Sequence, residues 1–253
     1  MALIQIKFMS ETLGRQTEIL VAIPQKSTQG QIGVENNAEA EKYKTLLLLH
    51  GLSDDNSIWE RRTSIERYAN ERGIAVVMPS GERGFYTDCK YGDKYFTFIS
   101  KEVLQVAREY LPLSCKREDT FVAGNSMGGY GALKIALKSP ESYSAAIGLS
   151  SVADIEKFMN EYTPDLKKLI FGEGCVPADE DLFALAKSCE SNPLRPRIYL
   201  YEGRQDFMYE ENCRLKGLLE GLDYDFTYAE DDGAHNWESW DKNIQTALAW
   251  LLN

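Results

Sequence analysis

The sequence predicts an α/β fold, with a mostly parallel central sheet and helices on both faces. Two observations predict it. From residue 45 onward, short apolar runs alternate with helix-length amphipathic segments, and Gly or Pro punctuates many of the junctions. At one junction an apolar run meets a helical segment through Gly124-Asn125-Ser126-Met127-Gly128, a sharp strand-to-helix turn.

In chain order, residues 4–8 and 18–23 read as extended segments around Leu13-Gly14, an antiparallel pair at a sheet edge. Residues 24–43 open on Pro24, are rich in Gln, Asn, Glu and Ala, and read as an exposed loop. The strands that follow are 45–49, 74–78, 120–123, 145–149, 198–201 and 226–228. Between and after them the periodicity predicts helices over 59–70, 96–110, 127–138, 210–222 and 237–251. Pro79 stops the second of those strands, while Leu111-Pro112 and Ser139-Pro140 end two of the helices. Residues 151–193 break the alternation with short helical pieces, Pro164, Pro177, Pro193 and the pair Gly172 and Gly174. They read as an excursion from the sheet edge, either a lid over a pocket or plain surface packing. The whole chain, 1–253, reads as one domain.

Composition narrows the function classes. With 253 residues the chain can bury a core without disulfide or metal staples. A net charge of −11 argues against a nucleic-acid partner, because phosphate binding needs concentrated Lys and Arg. No apolar run approaches a membrane span, and the N-terminus lacks the pattern of a signal peptide. Cys89, Cys115, Cys175, Cys189 and Cys213 are odd in number and scattered, which suits reduced thiols in a cytoplasm. Two histidines and no clustered ligands leave little material for a catalytic zinc site, so no metal is expected.

The chemistry centres on Ser126. A serine hydroxyl is a weak nucleophile unless a base stands beside it and its turn holds it exposed. In a G-x-S-x-G turn the serine backbone is strained, so the positions two before and two after it must lack bulky side chains. This placement within strand, turn and helix marks the α/β-hydrolase fold. The N–H of Met127, at the start of the following helix, is one candidate donor to a developing oxyanion. The loop His50-Gly51-Leu52-Ser53-Asp54-Asp55 follows a strand, and its Leu52 N–H is the candidate for the second. In this architecture the triad order is Ser, then acid, then His, which selects His235 as base. His50 precedes the serine and is assigned a structural part in the oxyanion loop. Asp206, just beyond the strand 198–201, is the preferred acid, with Asp231, Asp232 and Glu202 as alternatives. Trp59, Phe85, Tyr86, Tyr91 and Trp237 fall near strand C-terminal ends and are candidate substrate-binding residues, with packing as the alternative for each.

With these residues in place, the chain resembles the esterase D/putative esterase family of α/β-hydrolases, and within it bacterial tributyrin esterases. Feruloyl esterases and S-formylglutathione hydrolases are further relatives. The resemblance is carried by Leu47-Leu48-Leu49-His50-Gly51-Leu52-Ser53, by residues 59–67, by Gly84-Phe85-Tyr86-Thr87-Asp88 with Tyr91-Gly92, and by Ser126-Met127-Gly128-Gly129-Tyr130-Gly131. It implies a cofactor-free serine carboxylesterase for short acyl esters, working through an acyl-enzyme on Ser126 with Asp206 and His235. It also implies an oxyanion hole at Leu52 and Met127, and a small-molecule ester as partner. A homo-oligomer would fit the relatives. Feruloyl or acetyl-carbohydrate ester hydrolysis is the alternative activity. The oxyanion loop lacks the Cys-containing pattern of S-formylglutathione hydrolases, which counts against that branch.

Overall fold

A computed structural model describes residues 1–25 and 40–252. Of the loop expected at 24–43, positions 26–39 lie outside the described residues. An eight-stranded sheet forms the centre of the described chain. In chain order its strands are β1 (Ala2–Ser10), β2 (Arg15–Ile23), β3 (Lys44–Leu49), β4 (Ile74–Pro79), β5 (Thr120–Asn125), β6 (Ala145–Leu149), β7 (Arg197–Gly203) and β8 (Phe226–Asp231). Across the sheet they run β1-β2-β4-β3-β5-β6-β7-β8. The first two pairings are antiparallel and the remaining five parallel.

Sequence explains this division. The edge hairpin turns at Gly14, whose φ of 66° is easy for glycine and whose N–H returns to the Ser10 carbonyl at 2.9 Å. In β1 the burial alternates along the strand, as expected when one face meets solvent. By contrast β4, Ile-Ala-Val-Val-Met-Pro, is buried throughout, as are β5 and β6. Such runs suit central strands covered on both sides.

Helices cover the two faces. Helices α1 (Ile58–Arg62) and α2 (Ile65–Asn70) share one face with the C-terminal helix, Trp237–Leu251. The other face carries α3 (Tyr95–Thr97) and α4 (Val103–Tyr110), α5 (Met127–Lys138) and the helix Tyr209–Glu220. Burying each core Leu, Ile or Val contributes about 1.5–3 kcal/mol, so both layers hold the sheet strongly.

Three expectations need correction. The helix expected over 59–70 is broken, because Thr63 is extended and its hydroxyl takes the Trp59 carbonyl at 2.6 Å. The same hydroxyl accepts the Ile65 N–H at 3.1 Å, so a side chain replaces the helical ladder. The helix expected over 96–110 contains a π turn, Phe98–Glu102, between α3 and α4. Glu102 there accepts hydrogen bonds from the Ser10 hydroxyl and from the N–H groups of Glu11 and Thr12, tying the helix to the edge hairpin. Residues 151–193 do not leave a sheet edge; they connect β6 to β7, which are adjacent inner strands. This excursion forms α6 (Ile155–Tyr162), α7 (Pro164–Phe171) and α8 (Leu182–Cys189), and α8 packs back on α5. In the same chain order, Tyr209–Glu220 is α9 and Trp237–Leu251 is α10. No helix among the described residues is long and apolar enough to cross a membrane.

Candidate active site

Strand β5 delivers Ser126 to the C-terminal edge of the sheet, and α5 begins at the next residue. Ser126 has φ 55° and ψ −119°, a backbone state costing on the order of 1–3 kcal/mol that its surroundings must hold. They do so through backbone bonds. The Ser126 N–H donates to the Leu149 carbonyl at 2.9 Å, and its own carbonyl accepts from Val152 at 3.2 Å.

The two motif glycines are steric necessities. A Cβ on Gly124 would lie 2.4 Å from the Gly128 carbonyl carbon. A Cβ on Gly128 would lie 2.5 Å from the Leu49 oxygen and 2.7 Å from the His50 oxygen. Helix α5 therefore presses its first turn directly onto the loop that follows β3. Gly128→Ala is expected to displace that loop and lower kcat by about 10²-fold, together with a lower melting temperature. Steady-state kinetics on a p-nitrophenyl ester, with thermal melting, tests this; unchanged kcat would refute the steric account.

The remaining parts converge on Ser126. His235 Nε2 lies 3.0 Å from Ser126 Oγ, and His235 Nδ1 lies 2.8 Å from Asp206 Oδ2. Asp206 sits in a tight turn after β7, with its N–H on the Gly203 carbonyl at 3.0 Å. Its second oxygen accepts the Met208 N–H at 3.0 Å. Burial pushes the Asp206 carboxyl up, but the hydrogen bond and charge of His235 and the Met208 N–H outweigh it, leaving it below the ordinary range. With Nδ1 donating to this carboxylate, Nε2 is left to accept the serine proton. The imidazole is also gripped by rings: Trp240 meets it edge-on at 4.9 Å between centroids, and Phe207 packs at 4.9 Å.

Above the serine, neither the Leu52 nor the Met127 N–H finds an acceptor among the described residues. His50 governs the first of them. It is buried, its Nε2 accepts the Gly81 N–H at 2.9 Å, and its Nδ1 therefore donates to the Gly51 carbonyl at 2.7 Å. In a trans peptide the N–H points opposite to the C=O, so pulling the Gly51 oxygen aside aims the Leu52 N–H. Both ring nitrogens are occupied, which leaves His50 no capacity to act as a base. Burial also lowers its basicity, with the Gly51 carbonyl opposing.

The five aromatic candidates separate by position. Trp59, Phe85 and Tyr86 are core residues with no surface left for a substrate, a correction that follows from packing. Trp59 donates its indole N–H to the Leu49 carbonyl at 3.0 Å, bracing the loop from below. Trp237 is half-buried and stacks edge-on between Trp59 and Trp240. Tyr91 is exposed and its N–H reaches Leu169 of α7.

The sequence reading omits the rings that do face the site. Phe207, 52% exposed, lies between His235 and Tyr162, which is 55% exposed. Tyr162 in turn touches Phe158 one turn earlier on α6. With Val152 and Met208 these rings line a cleft, and Phe207 carries it up to His235. Adjacency to Asp206 could have flagged Phe207, and the i, i+4 spacing of Phe158 and Tyr162 could have flagged a shared helix face. Nothing local places that face against His235.

The family model for Putative esterase matches residues 10–251. The chain belongs to this family. As a member it is a carboxylic ester hydrolase, and its fold is that of the family's serine hydrolases. An acetyl esterase of Caldicellulosiruptor saccharolyticus is 34% identical to this esterase, over 99% of the chain and 98% of the relative. Among solved structures, the fluorophosphonate-binding serine hydrolase F of Staphylococcus aureus matches with a TM-score of 0.88 and 33% identity, covering 100% of this chain and 98% of that one. The apoenzyme of an S-formylglutathione hydrolase from Staphylococcus aureus matches with a TM-score of 0.84 and 33% identity, covering 100% and 99%.

Proposed function

We propose that this esterase hydrolyses short acyl esters of the acetyl or tributyrin type through an acyl-enzyme on Ser126. The observation that carries the proposal is the unbroken chain from Ser126 Oγ to His235 at 3.0 Å and on to Asp206 at 2.8 Å. In the proposed reaction Ser126 Oγ attacks the ester carbonyl while His235 Nε2 takes its proton. Asp206 stabilises the imidazolium, and the Leu52 and Met127 N–H groups receive the oxyanion. The imidazolium then protonates the departing alkoxide, and water repeats the sequence to release the acid. No step calls for a metal or cofactor.

The short-acyl reading is supported by the 34% identity to an acetyl esterase, over 99% of the chain. The half-exposed rings of Phe207 and Tyr162 favour a second reading, a feruloyl ester whose aromatic acyl group stacks there. Five unpaired cysteines support a cytoplasmic setting.

An ester panel tests these readings. p-Nitrophenyl acetate and butyrate are expected to exceed the octanoate in kcat/KM by at least about tenfold, with methyl ferulate, acetylated xylo-oligosaccharides and a thioester as comparison arms. Preference for methyl ferulate would select the second reading, and inactivity on every ester would sink both. Phe207→Ala removes one apolar wall and is expected to lower kcat/KM on the butyrate by about tenfold, mainly through KM. An unchanged butyrate-to-acetate ratio in that variant would remove the cleft from the acyl site.

A further inference from the structure

Phe85 and Tyr86 have φ of 50° and 52°, the left-handed region that bulky side chains rarely enter. Two consecutive aromatic residues in that state need firm anchors, and the structure provides them. The Tyr86 ring is wedged between two glycines: a Cβ on Gly81 would lie 2.6 Å from it, and one on Gly131 of α5 would lie 2.3 Å away. Lys134, fully buried in α5, donates to the Phe85 carbonyl at 3.2 Å, the Thr87 hydroxyl at 2.6 Å and the Glu180 carboxylate at 2.6 Å. Glu180 comes from the excursion between α7 and α8, and its carbonyl accepts the Tyr130 hydroxyl at 2.8 Å.

All of this effort places one hydroxyl. Tyr86 Oη–H donates to the His50 carbonyl at 2.8 Å. That carbonyl belongs to the peptide just before the one carrying the Leu52 N–H. The His50 side chain fixes the second peptide through the Gly51 oxygen, and Tyr86 fixes the first. Without the first anchor, the loop can rotate about Gly51, which has no Cβ to resist it.

We infer that Tyr86 is a positioning residue for the oxyanion hole, held by the buried Lys134–Glu180 pair that ties the 151–193 excursion to the site. The inference rests on the reading of Leu52 and Met127 as oxyanion donors. It assigns the excursion a second task besides walling the cleft, since Glu180 anchors Lys134, Lys134 anchors the strained turn, and the turn aims the loop. An oxyanion donor acts only at about 2.7–3.1 Å from the charge it stabilises. Small rotations of the loop therefore cost turnover and leave ground-state binding unchanged.

The test is Tyr86→Phe in the full chain, which keeps the wedged ring and removes the hydroxyl. On p-nitrophenyl butyrate kcat is expected to fall about tenfold, with KM within about twofold of the parent. Affinity for phenylboronic acid, a tetrahedral mimic, should weaken by about the same factor. Glu180→Gln, remote from the substrate, should show the same split at about threefold. A merely structural role would lower the melting temperature of Tyr86→Phe and leave kcat within about twofold, which overturns the inference; so does a loss confined to KM. Should Tyr86→Phe fail to fold, Glu180→Gln decides by the same criteria. Retained turnover in Ser126→Ala would instead bring down the serine-esterase reading itself, so the two failures are distinguishable.

Discussion

Replacing Ser126 with alanine is expected to lower kcat on p-nitrophenyl butyrate by about 10⁶-fold, with the protein still folded. The size of the loss follows from what remains. The proposed oxyanion donors and substrate cleft survive the substitution, and in other triads such remnants retain about 10³–10⁴-fold over water. What disappears is the proposed covalent route, because the substitution removes the hydroxyl 3.0 Å from His235 Nε2. His50, the other histidine, is tied to Gly81 and Gly51 and points its nitrogens away from this chemistry. Folding should be spared, since alanine adds no atom and inherits the same strained φ of 55°. Two readouts check the prediction: steady-state turnover, and labelling by a fluorophosphonate, which should vanish in the variant. Turnover above about 1% of the parent would mean that another group attacks the ester.

The turn at the centre of the candidate site is legible in the sequence because its physics is local. A strained serine needs small neighbours two positions away, and Gly124 and Gly128 meet that need with contacts of 2.4–2.7 Å that no side chain could tolerate. The parallel core was legible for a similar reason, since strands buried on both faces must be apolar at every position, as β4 is. What stayed hidden depends on contacts between distant segments. The π turn at Phe98–Glu102 is one case, since Glu102 there meets the Ser10 hydroxyl and the N–H groups of Glu11 and Thr12 from the edge hairpin. For the aromatic residues the sequence carries no depth information. Position near a strand end identifies a neighbourhood, yet Phe85 and Tyr86 are wholly buried while Phe207 and Tyr162 are half exposed, with Phe207 against His235. The destination of 151–193 was equally unreadable, because periodicity tells which face of α6 is apolar and says nothing of what it meets.

Asp206→Asn is expected to lower kcat by about 10⁴-fold while leaving KM near the parent value. The asparagine fits the same space, but its amide can present N–H to the imidazole and favour the tautomer whose Nε2 already carries a proton. Such a histidine cannot accept from Ser126. The neighbouring acids cannot restore the charge. Asp231 is engaged by the Tyr201 hydroxyl, the Gly233 N–H and Lys242, and Asp232 is exposed and paired with Arg204. Glu202 is closest in kind, buried completely at the end of β7 beside Asp206. Burial first, and then the charge of Asp206, push its carboxyl up to about 10, so it is a neutral acid where the proposed triad needs an anion. Removing the Asp206 charge withdraws one of the influences that keep Glu202 protonated. Residual activity of Asp206→Asn should therefore rise on the alkaline side, and adding Glu202→Gln should flatten that rise. In the parent, folding depresses the Asp206 carboxyl, which therefore contributes stability above about pH 4 that is lost as the pH falls through its folded value. A pH–rate profile of the parent, the single variant and the double variant checks the argument. An alkaline rise that survives in the double variant would assign it to hydroxide in place of Glu202, and activity of Asp206→Asn within about tenfold of the parent would move the acid's role elsewhere.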